Sequence, residues 1–262
     1  MKRTSVKMAT AIILCFAMMF GVLGNYTLVR AADNVLCECG HVHGTDEICS
    51  EAGTYALNNS SYSCLIYIAM QEIGYHEKAS DSQLDDPTAN AGSANYTKYG
   101  AWYANTHGSD FRKGKWCHMF VSWCANQAKI GTDIIPEEAL TENGMKHFKD
   151  RNRFEYGRQY GGTYTPQRGD IIYFGESRTN TKHVGIVESV VGNTVHTIEG
   201  NASDQVMRRS YSTSSSEIVG YGRPAYGSSS HKLVAYGRNY KCSNCGMITS
   251  SLPEISSIAG QK

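Results

Sequence analysis

The chain has 262 residues, with 25 Lys+Arg against 24 Asp+Glu, a formal net charge of +1 and 41% apolar residues. So even a balance argues against a nucleic-acid partner. The length suffices for one domain of ordinary size with appendages. The 26 glycines and 17 tyrosines suit a loop-rich α+β domain rather than a helical bundle.

Residues 1–31 read as a secretory signal peptide. Lys2, Arg3 and Lys7 precede an apolar run from Met8 to Leu23, and Val29-Arg30-Ala31 offers small residues for cleavage. Its removal takes away four cations (Lys2, Arg3, Lys7, Arg30) and no acid, carrying the net charge from +1 to −3. No later run is apolar and long enough to span a bilayer, so the mature chain is expected to be exported without a membrane anchor.

Residues 32–56 carry Cys37, Cys39, His41, His43 and Cys49 with no hydrophobic period, so this segment cannot build a core of its own. Residues 61–74, SYSCLIYIAMQEIG, place Leu65, Ile68, Ala69 and Ile73 on one face, which predicts a helix ended by Gly74. Residues 78–114 are polar and aperiodic and read as a long connection, with Trp102, Tyr103 and Phe111 as its anchors.

The next stretch, KWCHMFVSWCANQAK, places Phe120, Val121, Cys124, Ala125 and Ala128 at steps of three and four. That spacing is one buried helical stripe. Cys117 stands at the start of this helix, where unpaired N–H groups and the helix dipole favour the thiolate form of a cysteine. A cysteine on an apolar stripe is also a common packing residue. Cys124, farther down the same stripe, reads as core. Trp116 and Trp123 are candidates for lining a sugar or peptide groove, with aromatic packing the favoured reading of Trp123.

A short helix is expected over Pro136–Lys149, and strands at Ile171–Phe174, His183–Val191, Thr194–Asn201 and in QVMRRSY and IVGYGRP. Gly192-Asn193 marks a hairpin turn. GSSS after Tyr226 is a flexible connector, and the end of the chain adds Cys242 and Cys245.

The hairpin supplies what a cysteine nucleophile needs: a base, His183, and groups that orient the base, Glu199 and Asn201. Their parity is a constraint. A plain two-residue turn at Gly192-Asn193 places His183 opposite Ala202, with Glu199 and Asn201 facing away, because strand side chains alternate. One bulge or an odd-length loop restores all three to one face. A bulge or a three-residue loop is therefore expected.

The runs GKWCHMFVSWCANQA, PQRGDIIYF and KHVGIVESVVGNTVHTIEGN resemble, in this order, a CHAP domain of the NlpC/P60-type, papain-like cysteine peptidase superfamily. The resemblance covers roughly residues 57–225. It implies a papain-like α+β fold, with N-terminal helices packed on a small antiparallel β-sheet. It implies Cys117 as nucleophile, His183 as general base, Glu199 as its orienting acid and Asn201 as an auxiliary amide. It further implies hydrolysis of amide bonds in bacterial peptidoglycan, as an N-acetylmuramoyl-L-alanine amidase or a peptide endopeptidase, with no cofactor for catalysis. Some phage members bind calcium through aspartates before the cysteine. FRKGKW stands there in this chain, and no calcium is expected at that place. The expected division is thus 1–31 leader, 32–56 Cys/His-rich segment, 57–225 catalytic domain, and 226–262 linker with a C-x-x-C segment.

For the terminal extensions two readings stay open. Cys37, His41, His43, Cys49, Cys242 and Cys245 have the spacing of structural zinc ligands, and an exported chain equally permits disulfides. For the whole protein the leading expectation is a secreted, wall-associated hydrolase. The competing classes are an idle wall-binding module of the same fold and a secreted effector acting on another amide.

Overall fold

The computed structural model describes residues 60–226 and, outside them, the strand backbones at 34–36, 42–44, 55–56, 232–236, 239–242 and 248–249. The chain divides into two compact units, Met1–Gly53 and Thr54–Lys262. In the first, β1 (Asn34–Leu36) pairs antiparallel with β2 (Val42–Gly44). The expected leader and the side chains of Cys37, His41, His43, Cys49 and Cys245 lie outside the described residues.

The second unit is α+β. Helix α1 (Ser60–Gln71) buries Cys64, Leu65, Ile66 and Ala69 along one stripe. Helix α2 (Lys98–His107) lies inside the stretch expected to be irregular. Two buried tyrosines, Tyr99 and Tyr103, hold it down at helical spacing, and Thr97 caps it by accepting from the Gly100 N–H at 2.9 Å. Tyrosine contributes its apolar body to a core while its hydroxyl is satisfied elsewhere. A pattern counted on aliphatic residues overlooks such a helix.

Helix α3 (Cys117–Gln127) is buried at Cys117, Met119, Phe120, Val121 and Cys124. Burial raises the Cys124 thiol well above its ordinary pKa, which keeps it neutral. Helix α4 (Thr141–Asp150) begins later than Pro136 and buries Thr141, Gly144, Met145 and Phe148, an i, i+3, i+4, i+7 face. The segment before it is held by Ser122 instead. That hydroxyl accepts from the Glu138 N–H at 2.9 Å and donates to the Glu138 carbonyl at 2.8 Å.

Six strands follow: β4 (Phe154–Tyr156), β5 (Ile171–Ser177), β6 (Asn180–Val191), β7 (Thr194–Glu199), β8 (Met207–Ser212) and β9 (Ile218–Gly222). They form one antiparallel sheet in the order β4-β9-β5-β6-β7-β8. The period-2 alternation of β5 divides the interior in two. Ile171 and Tyr173 join Val184, Ile186 and Ile198 in a core with the helices. Ile172 and Phe174 join Val187, Val195 and Tyr221 in a smaller core on the opposite face. A second sheet of order β12-β11-β10-β3 is built from Ile248–Thr249, Asn239–Cys242, Lys232–Tyr236 and Tyr55–Ala56. It brings Cys242 Sγ within 3.6 Å of Cys64 Sγ, both fully buried. Among the described residues no helix is long and apolar enough to cross a membrane.

Candidate active site

Cys117 is the first residue of α3, whose cap residue Trp116 offers no side-chain acceptor. The N–H groups of the first turn therefore have no partner within the helix and point toward the thiol's end of it. Trp116 itself is fully buried, with its indole N–H donating to Glu77 at 2.8 Å. It stacks on Tyr99 with ring centroids 5.4 Å apart. It therefore anchors the start of the helix and lines no groove, contrary to the sequence expectation. Gly200 packs against Trp116 and Phe120 so closely that a Cβ there would lie 2.5 Å from Phe120 Cβ.

The imidazole comes from β6 and its partner from β7. The tip of their hairpin is the two-residue turn Gly192-Asn193, pairing Val191 with Thr194, Val190 with Val195 and Ser189 with His196. Val187 then pairs with Thr197 and Ile186 with Ile198, leaving Glu188 as an extra residue in β6. This is the expected bulge, and it moves Glu199 from the partner of Ile186 to the partner of Gly185. Glu199 now shares a face with His183.

His183 Nε2 lies 2.9 Å from Glu199 Oε2. The carboxylate is 1% exposed and is held twice more. Thr197 Oγ1 donates to Oε1 at 2.5 Å and Tyr211 Oη to Oε2 at 3.3 Å. The Glu199 side chain lies over Gly185, where a Cβ would come 2.6 Å from Glu199 Cγ. With Nε2 turned to Glu199, Nδ1 is the ring nitrogen left for Cys117. Burial alone would lower the His183 pKa, but hydrogen bonds and charge interactions with Cys117 and Glu199 outweigh it and raise the pKa to about 9. Cys117 is 5% exposed and the His183 side chain 25%, so the ring is the solvent-facing member of the pair.

Asn201 takes a left-handed backbone with φ 56°, a conformation asparagine tolerates, in the turn beyond β7. The hydrogen-bond partner of the imidazole is Glu199, and Cys117 is the other group whose interaction with the ring raises its pKa. Sequence reasoning did not single out Gly185, Thr197 or Tyr211. The first two were open to it, because Gly185 is two residues from His183 and Thr197 two from Glu199. Period 2 places each on the same face as its neighbour. Tyr211 enters only through the pairing of β7 with β8.

His118, adjacent to Cys117, is fully buried and points away from this cluster. Its Nδ1 is 3.1 Å from the Glu138 carbonyl, and its Nε2 is 3.4 Å from Tyr173 Oη. Burial lowers its pKa to about 4, so it stays neutral. Cys242 is the member of the proposed metal or disulfide set whose side chain is described, and its near neighbour is Cys64 on α1.

A thiol at a helix N-terminus, an imidazole on a facing strand and a carboxylate on the next define the class: a papain-like α+β fold with a Cys–His–Glu cluster. The comparison with family models makes it particular. The CHAP domain model matches residues 106–201, and this part of the chain is a CHAP domain. No curated protein matches the chain. Among solved structures it is similar to the crystal structure of Ly7917, at 15% identity and a TM-score of 0.35, covering 63% of each chain. It is also similar to the structure of Ly7917 with the hydrolyzing product of MDP, at 15% identity and a TM-score of 0.37, covering 62% of each. The chain thus spans less than two thirds of the length of the solved structures it resembles.

Proposed function

We propose that the protein is an exported peptidoglycan hydrolase that cleaves an amide bond through a thioester on Cys117. The observation that carries this reading is the His183–Glu199 contact of 2.9 Å beside a cysteine that opens a helix. The match of a CHAP domain model over residues 106–201 supports the substrate class.

The chemistry follows from the groups present. Imidazolium His183 stabilises the Cys117 thiolate, which attacks the amide carbonyl carbon. Negative charge moves to the carbonyl oxygen, where the Cys117 backbone N–H at the helix start serves as an oxyanion donor. The C–N bond breaks as His183 delivers its proton to the leaving amine. Neutral His183 then takes a proton from water, hydroxide adds to the thioester, and collapse releases a carboxylic acid and the thiolate. Glu199 fixes the ring's tautomer and offsets its positive charge in both half-reactions. Asn201, in the left-handed turn that follows β7, is assigned the role of auxiliary amide.

The terminal Cys/His segments are read as a structural zinc site or a set of disulfides, which metal analysis and thiol counting of the mature protein separate. The hydrolase reading is tested by digesting purified peptidoglycan with wild type and Cys117→Ala and identifying products by mass spectrometry. Bare glycan with free stem peptides marks an amidase, and cut peptides still attached to glycan mark an endopeptidase. Equal digestion by the alanine variant would overturn the assignment.

A further inference from the structure

A recess lies at the end of the sheet away from His183. Phe154 opens β4, Ile171 opens β5 and Gly222 closes β9, and Gly222 pairs with Phe154 on one side and Ile171 on the other. The residues just outside those ends, Arg153, Asp170 and Arg223, therefore meet, and with Arg168 they line a cleft of about 460 Å³. His183 pairs with Phe174, four residues along β5 from Asp170, or roughly 13 Å at strand rise. No side chain of the Cys–His–Glu cluster lines the cleft.

Its walls are aromatic. Tyr62, Tyr164 and Tyr226 line it, with Tyr62 and Tyr226 edge to face at 5.9 Å. Gly169, at φ 91°, lets Tyr62 approach, since a Cβ there would sit 2.5 Å from Tyr62 Cβ. Tyr226 Oη is pinned to the Gly169 carbonyl at 2.6 Å.

Its polar groups are cationic in excess, three guanidiniums to one carboxylate, in a chain of net charge +1. The carboxylate is already occupied: Asp170 Oδ2 accepts from Tyr164 Oη at 2.9 Å and from the Gln167 N–H at 2.7 Å. Arg223 spends one terminal nitrogen on Glu155 at 3.1 Å, while its Nε is buried without a partner. A buried donor left unpaired costs about 1–3 kcal/mol, which an arriving acceptor would recover. Among the described residues Arg153 and Arg168, both exposed, enter no ion pair.

We infer that this cleft is a second binding site, which takes a sugar bearing an oxyanion, carboxylate or phosphate. Tyrosine faces and edges cover the apolar face of a pyranose, and guanidinium forks match either oxyanion. The volume is that of a small-molecule site. The site holds a ligand without acting on it, so it would tether the protein to an anionic glycan while the cysteine works elsewhere.

The test uses the full mature chain carrying Cys117→Ala, so that binding is read without turnover and independently of the hydrolase reading. N-acetylmuramic acid, glucose 6-phosphate and neutral N-acetylglucosamine are titrated by calorimetry and by amide chemical shifts. At least one acidic sugar is expected to bind about tenfold more tightly than the neutral one. The acid that binds identifies the oxyanion source. The Arg153→Gln/Arg168→Gln pair is surface-exposed and should fold normally. It is expected to lose that preference, and Arg223→Gln is expected to weaken binding further. Equal affinity for the neutral sugar, no binding of either acid, or binding unaffected by the arginine pair would overturn the inference.

Discussion

His183 and Glu199 touch at 2.9 Å because β6 carries one extra residue against β7, between the pairs Ser189–His196 and Val187–Thr197. That residue is Glu188, which is itself held to Arg208 by bonds of 2.8–3.0 Å. Removing it should restore the register of the tip along the whole hairpin and turn Glu199 to the other face. A Glu188 deletion is therefore expected to keep the circular dichroism of the fold while losing about 10²-fold or more in amide cleavage. Retained activity would mean that the bulge does not set the site.

The raised pKa of His183, about 9, has a sign that can be checked. The folded value lies above the unfolded 6.5, so its contribution to stability is complete below that pH and is lost as pH rises through 9. The imidazolium is lost over the same interval, and the rate should fall on the alkaline side near pH 9. Glu199→Gln removes one of the groups that raise the pKa. It should move this alkaline limb downward and lower kcat, which a pH–rate profile reads directly.

Gly185 provides the room in which the Glu199 carboxylate lies. Gly185→Ala brings a methyl to within 2.6 Å of Glu199 Cγ, so the side chain must shift. The ring loses its aligned acceptor while both residues remain. The expected result is a loss of about tenfold or more in kcat with a small change in KM, because a misplacement near 1 Å at a positioned group is costly.

A different histidine governs acid stability. His118 is buried and neutral, with its pKa lowered to about 4 chiefly by desolvation. The unfolded chain binds the proton more readily between pH 6.5 and 4. Stability is thus complete above 6.5 and declines as pH falls toward 4, by up to about 3 kcal/mol. Tm measured from pH 7.5 to 4.5 should fall more steeply for wild type than for His118→Asn, whose side chain does not titrate.

Overpacking offers a check on the same histidine. A Cβ on Gly144 would stand 1.9 Å from His118 Nε2, so α4 can approach α3 here only through a glycine. Gly144→Ala is expected to cost about 1–3 kcal/mol in denaturant unfolding and to spare the pH profile of catalysis. A stability equal to wild type would show that the two helices separate freely.

Some of this was written in local pattern. The aliphatic stripes of α1 and α3 and the position of Cys117 follow from residue spacing alone, because a helix face repeats every three or four residues. The parity argument also reached the need for a bulge from the identities of His183, Glu199 and the turn residues. α2 escaped because its buried face is tyrosine rather than aliphatic. The start of α4 was displaced because Ser122, a residue of another helix, holds the backbone around Glu138.

By itself, then, the sequence determined the order of the chemistry, with thiol, imidazole and carboxylate on a helix and two successive strands. It also determined that their strands must slip by one residue. The tertiary structure decided which residue slips, which donors hold Glu199, and that Trp116 is an internal anchor rather than a groove wall. It alone assembled the arginine cleft, since Arg153, Asp170 and Arg223 are brought together by antiparallel pairing of strand ends distant in the chain. Local spacing reports which face a residue shares with its neighbours, whereas contacts between distant segments depend on register and packing.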